Sequence, residues 1–89
     1  SILHFAISLE VGVNTYSKNF ISYEKICENI PKKIGSRSTI QSILNDAVRN
    51  NYFIKETSKI DKRIKVYFYS EQYSKMMEDW VDSNKSILI

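Results

Sequence analysis

Residues 36–69 read SRSTIQSILNDAVRNNYFIKETSKIDKRIKVYFY, and the order of secondary structure can be read from them. The first part has apolar residues three and four positions apart, which is typical of a helix with one face in a core; they are Ile40, Ile43, Leu44, Ala47 and Val48. Two runs rich in β-branched and aromatic residues follow, Tyr52 to Glu56 and Arg63 to Tyr69. The sequence therefore predicts a helix from Arg37 to about Arg49 and then a β-hairpin.

Residues that suit helix ends lie on both sides of the predicted helix. Ser36 is an N-cap residue, because its side-chain oxygen can accept hydrogen bonds from amides of the first turn. Asn50 and Asn51 end the helix, because Asn tolerates the left-handed backbone conformation common at helix C-termini. Within the second strand, Ile64, Val66 and Phe68 alternate with Lys65, Tyr67 and Tyr69. This alternation predicts a strand with one buried face.

Three further helices are predicted outside this segment. They run from Ile2 to about Tyr16, from Tyr23 to Ile30 and from Glu71 to about Ser83. Ser22 and Ser70 are N-cap residues for the last two, and Pro31 ends the second helix. The turn from Pro31 to Gly35 contains Ile34, which we expect to be its buried anchor. With 89 residues, the chain is predicted to be one α+β domain, residues 1–89: a three-helix core, a β-hairpin wing and a C-terminal helix.

The residue counts exclude several kinds of functional site. With one Cys and one His, the chain has neither an intrachain disulfide nor a multi-cysteine zinc site. Its two Gly residues form no glycine-rich phosphate loop. We expect no enzymatic activity, no cofactor and no bound metal. Cys27 is interpreted as a small buried residue, with a redox-sensing thiol as the alternative. His4 is interpreted as a structural or interface residue.

The apolar start of the chain, Ile2 to Leu9, does not predict a membrane segment. It is too short to span a bilayer, and it lacks the basic region that opens a signal peptide. We therefore expect a cytoplasmic protein with no membrane partner. The first helix is apolar on more than one side, which is typical of a helix central to a core or of one at an oligomer interface.

Positive charge is concentrated in the middle of the chain. The segment from Lys32 to Lys65 contains nine basic and three acidic residues, a net charge of +6, whereas the remainder has a net charge of −3. A basic segment between acidic ends is typical of a protein that binds a polyanion. A solubilising surface is the alternative interpretation. Opposite its apolar stripe the central helix carries short polar side chains and one arginine, of the kind that read base edges in a major groove.

The order of elements is that of a winged helix-turn-helix, and the residues resemble those of MarR-type transcriptional regulators. The resemblance is carried by SYEKICENI at 22–30, SRSTIQSILNDAV at 36–48, NYFIKE at 51–56 and DKRIKVYFYS at 61–70. In that family the wing shows Asp-x-Arg before the last strand, and Thr or Ser opens the next helix. Asp61, Arg63 and Ser70 match this pattern. The order and spacing of these segments together make the resemblance specific.

The resemblance implies sequence-specific binding of double-stranded DNA by a transcriptional regulator. The recognition helix, residues 36–50, would lie in the major groove, and the wing, residues 55–69, would lie at the minor groove and backbone. The predicted contact residues are Lys32, Lys33, Ser36, Ser38 and Thr39 for phosphates; Arg37, Gln41, Ser42 and Asn45 for base edges; and Lys59, Lys62, Arg63 and Lys65 in the wing. Asp61 is expected to orient Arg63 through an ion pair.

Three features depart from the family's pattern. The turn from Pro31 to Gly35 is longer, Asn51 replaces a glycine, and the long terminal helices through which the family dimerises are missing or shortened. Sensing of a small effector is therefore not implied. If the chain forms a homodimer, we expect the first helix, the fourth helix and the tail Ile87-Leu88-Ile89 to form the interface. Two alternatives remain open: a winged-helix protein–protein interaction module and a replication-initiator-type DNA-binding domain.

Overall fold

The computed structural model describes residues 2–84, which form four helices and a three-stranded antiparallel sheet. The elements are α1 (Ile2–Tyr16), β1 (Ile21–Ser22), α2 (Tyr23–Asn29), α3 (Arg37–Arg49), β2 (Phe53–Thr57), β3 (Lys65–Tyr69) and α4 (Glu71–Ser83). The predicted α+β winged-helix class is confirmed. The bounds predicted for α1, α3 and α4 are also confirmed, whereas β2 begins one residue and β3 two residues later than predicted. The tail at 87–89 lies outside the described residues.

The core lies between α1, α3 and one face of the sheet. Its fully buried residues come from all three helices that precede the hairpin and from the central strand; they are Ile7, Val11, Ile26, Ile40, Leu44 and Tyr67. The predicted apolar stripe of α3 faces this core, with Ile40 and Leu44 buried and the other members packed at its edge. The helix that carries the predicted reading residues is thus held by its opposite face.

The middle strand of the sheet is β3, which pairs with β1 on one side and with β2 on the other. Phe53 is paired with Tyr69, and directly paired residues share a face of the sheet. The face turned to the helices carries Tyr67 and Tyr69, which are both buried. Phe68 lies on the outer face, where its ring stacks on Phe20 with 4.4 Å between the centroids. The predicted alternation in β3 is present. The packing of the helices on the sheet determines that its buried side chains are Tyr67 and Tyr69.

A close contact between α1 and β3 fixes this helix on the sheet. A Cβ atom at Gly12 would lie 2.3 Å from the hydroxyl oxygen of Tyr69, so the absence of a side chain lets the ring approach. The Tyr69 hydroxyl donates a hydrogen bond of 2.6 Å to the backbone oxygen of Ser8. Burial raises the pKa of the Tyr69 phenol, and the hydrogen bond with the Ser8 side chain, whose Oγ lies 3.1 Å from the phenol oxygen, partly offsets this effect.

The turn between α2 and α3 corrects one expectation. Ile34 is not a buried anchor, because its side chain is 38 % exposed. Its amide donates a hydrogen bond of 2.9 Å to the carbonyl of Pro31, which closes a tight turn at the surface. The neighbouring core position is filled by Ile30, the C-cap residue of α2. Because the buried side chain of Ile30 already anchors the end of α2 in the core, the turn needs no second apolar anchor at Ile34.

Candidate nucleic-acid interface

The start of α3 presents three hydroxyl groups to solvent. Ser36 has an extended backbone and is the N-cap residue, and its Oγ accepts a hydrogen bond of 3.3 Å from the Thr39 amide. The same oxygen lies 3.2 Å from Oγ of Ser38 and 2.9 Å from Oγ1 of Thr39. Free amides and the helix dipole make such an end attractive to anions. Three of the predicted phosphate contacts therefore lie together at one helix end.

The end of α3 connects this helix directly to the wing. Asn51 has a φ of 62°, the left-handed conformation that a glycine would otherwise supply. Its amide donates to the carbonyl of Val48, and the amide of Tyr52 donates to the carbonyl of Ala47 at 2.9 Å. These two bonds form the Schellman motif of a helix C-terminus. The replacement of the family's glycine by Asn51 thus preserves the helix end, and β2 begins two residues later.

Arg37 lies in a contact between α2 and α3. Its guanidinium forms an ion pair with Glu24 and lies 5.3 Å from the centroid of the Tyr23 ring. The Tyr23 hydroxyl donates a hydrogen bond of 3.1 Å to the backbone oxygen of Arg37. The hydrogen bond to the Glu24 carboxylate raises the pKa of Arg37. In the free protein this arginine therefore has a carboxylate partner that a DNA base or phosphate would have to replace.

The next turn of α3 carries a pair of amide side chains, of which Asn45 is exposed and Gln41 partly buried. Nε2 of Gln41 donates a hydrogen bond of 3.0 Å to Oδ1 of Asn45, which is one helical turn further on. Ser42 is exposed beside them. The pair leaves donor and acceptor groups available on one face of the helix, which is what bidentate recognition of adenine requires. The predicted base-reading residues therefore share one face of α3.

The wing contains the ion pair that the sequence predicted. Oδ1 of Asp61 accepts hydrogen bonds from the backbone amide and from Nε of Arg63, at 3.0 and 3.1 Å, and Oδ2 accepts one of 3.0 Å from Nη2. The hydrogen bonds from Arg63 lower the pKa of Asp61. The side chain of Arg63 nevertheless remains 89 % exposed. Asp61 thus orients the guanidinium and leaves it accessible.

A groove of about 250 Å³ lies between α3 and the wing. Three predicted contact residues line it, namely Gln41 from α3 and Arg63 and Lys65 from the wing. Glu24, the partner of Arg37, also lines the groove. These four residues give the groove one amide, two cations and one carboxylate already engaged with an arginine. An extended anionic ligand that lies along this groove would meet both α3 and the wing.

Lys55 also lines the groove, and it was not among the predicted contact residues. Its Nζ lies 5.9 Å from the centroid of the Tyr67 ring. Lys55 is paired with Tyr67 across the hairpin, so both lie on the sheet face turned to the helices. Finding Lys55 from sequence requires the register of β2 with β3. The sequence contains one indication of this position. Side chains two residues apart in a strand point to the same face, so Lys55 lies on the same face of β2 as Phe53.

The other predicted lysines do not line this groove, apart from Lys65. Lys32 and Lys33 lie in the turn before α3, and Lys59 and Lys62 lie in the wing loop; all four are exposed. Within residues 2–84 none of them forms an ion pair. Lys65 donates a hydrogen bond of 2.6 Å to Oγ1 of Thr57, its partner in the hairpin register. The turn before α3 and the wing loop thus carry four cations that form no ion pair with a carboxylate among residues 2–84.

The described part of the chain offers no alternative centre for metal chemistry. Among residues 2–84, no group of three or more His, Cys, Asp or Glu side chains is arranged to hold a metal ion. Cys27 is a free thiol, partly buried at the edge of the core. No helix in this part of the chain is long and apolar enough to cross a membrane.

Comparison with known proteins gives matches among solved structures only. No protein-family model matches the sequence, and no curated protein matches it significantly. FabT of Streptococcus pneumoniae in complex with DNA superposes with a TM-score of 0.71 at 13 % identity, over 97 % of this chain and 55 % of that one. The transcriptional regulator SlyA gives 0.60 at 19 % identity, over 97 % and 58 %. ZitR of Lactococcus lactis, a C30AH42A mutant in its apo form, gives 0.62 at 14 % identity, over 98 % and 56 %.

These three proteins are winged-helix regulators of the MarR family. The present chain spans between 55 % and 58 % of their length. At this level of identity the similarity concerns the arrangement of helices and strands. The chain therefore has the winged-helix fold that these regulators share, and the resemblance seen in its sequence is confirmed at the level of that fold.

Proposed function

We propose that this chain binds double-stranded DNA in a sequence-specific manner and acts as a transcriptional regulator. The observation that supports this most directly is the groove between α3 and the wing, where Gln41, Lys55, Arg63 and Lys65 lie together. Reading residues on a helix and cations on an adjoining hairpin can engage a base edge and the phosphate backbone at the same time. The complex of the similar protein FabT with DNA supports the same proposal.

In the proposed complex α3 enters the major groove. Its exposed hydroxyls at Ser36, Ser38 and Thr39 and its free N-terminal amides would contact a phosphate. The amides of Gln41 and Asn45 would exchange their mutual hydrogen bond for bonds to the N6 and N7 atoms of adenine, and the Ser42 hydroxyl would donate to or accept from a base edge. Each such bidentate contact is worth about 1–3 kcal/mol of discrimination against the wrong base.

The wing would lie at the minor groove. A narrow minor groove has an enhanced negative potential that attracts arginine, and Arg63 is exposed and oriented for such a contact. Lys59, Lys62 and Lys65 would contact the phosphates on either side, together with Lys55 from the groove. In the turn, Lys32 and Lys33 would contact the backbone close to the N-terminus of α3.

The first experiment measures binding of the full chain to duplexes selected from a random pool. Affinity should fall steeply between low and moderate salt, because each neutralised phosphate contributes about −0.9 to the slope of log K against log salt. Arg63→Ala should weaken binding to all duplexes and make this slope less steep by about one contact. Gln41→Ala and Asn45→Ala should instead reduce the preference for the selected site over an unrelated duplex.

Lys75→Ala is the matched control, because Lys75 is an exposed cation on α4 outside the groove. It should leave both the salt slope and the sequence preference unchanged. Absence of binding to any duplex at low salt would contradict the proposal and favour a protein-interaction module. If the Arg63, Gln41 and Asn45 variants all acted alike on every duplex, the assignment of α3 and the wing to different grooves would be wrong.

We further propose that the chain binds DNA as a homodimer. Along its whole length α1 exposes an apolar stripe, formed by Ile2, Phe5, Leu9, Val13 and Tyr16. Phe5 and Trp80 line one cavity of about 380 Å³ between α1 and α4, so the exposed apolar residues of α4 continue this surface. The stripe contains no charged residue. A second copy can therefore pack on it without repulsion between like charges, and two wings would then face two half-sites.

A further inference from the structure

The tip of the wing presents an apolar side chain to solvent. Ile60 is 98 % exposed, the largest value among the large hydrophobic residues at 2–84. Lys59 precedes it and Lys62 follows two positions later, and the intervening Asp61 is engaged by Arg63. A single exposed hydrophobic residue is common on protein surfaces. Its position at the centre of a cationic loop is the feature that calls for an explanation.

Hydrogen bonds hold Ile60 in this exposed position. The Oγ atom of Ser58 accepts hydrogen bonds from the backbone amides of Ile60 and Asp61, at 3.2 and 3.4 Å. The amide of Ser58 donates to the carbonyl of Ile64 at 2.8 Å, and the amide of Ile64 donates to the carbonyl of Asp61 at 3.0 Å. The loop backbone is therefore ordered by its own polar groups. The apolar side chain projects from a closed loop and has no place in the core.

The surroundings of Ile60 indicate what covers it. Lys59 and Lys62, which precede and follow Ile60 in the loop, favour a ligand rich in phosphates, and two rows of phosphates bound the minor groove of DNA. Apolar side chains are among the groups that proteins insert into this groove. The floor of the groove differs between base pairs mainly by the 2-amino group of guanine, which is absent from A·T pairs. An isoleucine pushed towards the floor would collide with that group.

We propose that Ile60 enters the minor groove of the bound duplex and selects A·T over G·C pairs beneath the wing by steric exclusion of the guanine 2-amino group. The inference rests on the proposed DNA-binding function and adds a contact of a different kind from the electrostatic one of Arg63. Ser58 acts as a positioning residue, because its hydroxyl holds the loop that carries Ile60.

The test uses the full chain and a selected duplex in which the pair beneath the wing is A·T, G·C or inosine·C. Inosine·C resembles G·C in the major groove and lacks the 2-amino group in the minor groove. Scanning G·C pairs along the site locates the position where the wing lies. The unsubstituted protein should bind the A·T and inosine·C duplexes equally and the G·C duplex about tenfold more weakly, within the usual effect of one wrong base pair.

The decisive comparison is with Ile60→Ala. This variant should bind the A·T duplex several-fold more weakly and should no longer distinguish inosine·C from G·C. Its salt slope should be unchanged, because no charge is removed. Ile60→Leu, which keeps the side-chain volume, should retain the discrimination. Thermal unfolding of both variants should coincide with that of the unsubstituted chain, because Ile60 makes no contribution to the core.

The outcomes separate this inference from the function on which it rests. If the unsubstituted chain binds duplexes and Ile60→Ala keeps the same ratio between inosine·C and G·C, DNA binding stands and the role of Ile60 is overturned. If the unsubstituted chain binds no duplex at low salt, both proposals are overturned. Binding to phosphatidylserine vesicles that depends on Ile60, without this base-pair dependence, would likewise overturn the inference and identify an anionic membrane surface as the ligand.

Discussion

Several of the polar side chains proposed to contact DNA form hydrogen bonds or ion pairs with other side chains in the free protein. Arg37 is paired with Glu24, Gln41 with Asn45, and Arg63 with Asp61. Such pairs limit the rotamers of long side chains before a ligand arrives, which reduces the entropy lost on binding. They also present a competing partner that each base or phosphate must replace. For exposed ion pairs this competition is small, because water and salt screen them.

Tyr69 gives a prediction about stability and its dependence on pH. At neutral pH, Tyr69→Phe should lower the free energy of unfolding by about 1 kcal/mol, because it removes the hydrogen bond to Ser8. Burial raises the pKa of this phenol in the fold, so the unfolded chain loses the proton first. The stability of the unsubstituted protein should therefore be complete below pH ~10 and decline as the pH rises above it. The decline should be shallower in the variant.

Urea unfolding followed by circular dichroism between pH 7 and pH 11 measures both effects. Tyr52→Phe is the control, because the Tyr52 ring is half exposed on the surface; it should change the stability at neutral pH by less than the Tyr69 substitution does. An identical pH profile for Tyr69→Phe and the unsubstituted protein would show that the buried phenol does not set the alkaline limit of stability.

At the level of secondary structure, short connections determine how α3 and the wing are placed. The Schellman motif at Asn51 leads from α3 into β2 within three residues, so the hairpin cannot rotate freely against the helix. At the other end, Ser36 caps α3 immediately after the turn that follows α2. The groove between α3 and the wing is therefore defined largely by these two connections and by the register of β2 with β3.

The packing of α1 on the sheet is tested by adding one methyl group. In an exposed helix, replacing Gly by Ala adds about 0.5–1 kcal/mol of stability. At Gly12 we expect the opposite sign, with a loss of about 1–3 kcal/mol, because the new Cβ would overlap the ring of Tyr69. For a domain of this size each 1 kcal/mol lowers the melting temperature by about 4–8 °C. Differential scanning calorimetry measures the shift.

Gly35→Ala is the matched control for this substitution. A Cβ at Gly35 would lie 2.4 and 2.8 Å from the two terminal methyl groups of Leu3, which are the end of an aliphatic side chain at the core and can move by a change of rotamer. The loss should therefore be smaller than at Gly12, where the neighbour is a rigid buried ring with its hydroxyl engaged by Ser8. Equal losses at the two positions, or a gain at Gly12, would contradict the proposed contact.

The molecule as a whole has two surfaces of opposite character. One is the cationic groove between α3 and the wing. The other is the apolar stripe of α1, continued by Trp80 and other exposed apolar residues of α4. Exposed apolar residues arranged on one face indicate a contact with another protein surface. A dimer formed through this second surface would leave the groove of each copy free for DNA.

Leu9→Lys tests the proposed dimer, because it places a charge in the middle of the exposed stripe. Two such charges would meet in a symmetric interface, so sedimentation equilibrium should show a shift from dimer to monomer. The affinity of the variant for a palindromic selected site should also fall, because that site is bound by two copies. Its affinity for a single half-site should change little. Gln72→Lys adds the same charge at an exposed position of α4 outside the stripe and should leave both measurements unchanged. A monomeric unsubstituted chain would exclude the dimer.

Local interactions explain why much of the structure could be predicted. The bounds of α3 follow from apolar residues three and four positions apart, from the Ser36 hydroxyl and from the tolerance of Asn51 for a positive φ. All of these act within a few residues of the chain. The same holds for the ion pair of Asp61 with Arg63, whose partners are two residues apart. The concentration of positive charge is likewise a property of the sequence.

The candidate site depended on contacts between residues far apart in the chain. The alternation in β3 predicted a half-buried strand, but the packing of Tyr69 on Gly12 made the tyrosine face the buried one. The register of β2 with β3 then brought Lys55 into the groove, and the approach of α2 to α3 gave Arg37 its carboxylate partner. Spacing along a chain specifies local conformation, whereas the neighbours of a side chain across the fold depend on how whole elements pack.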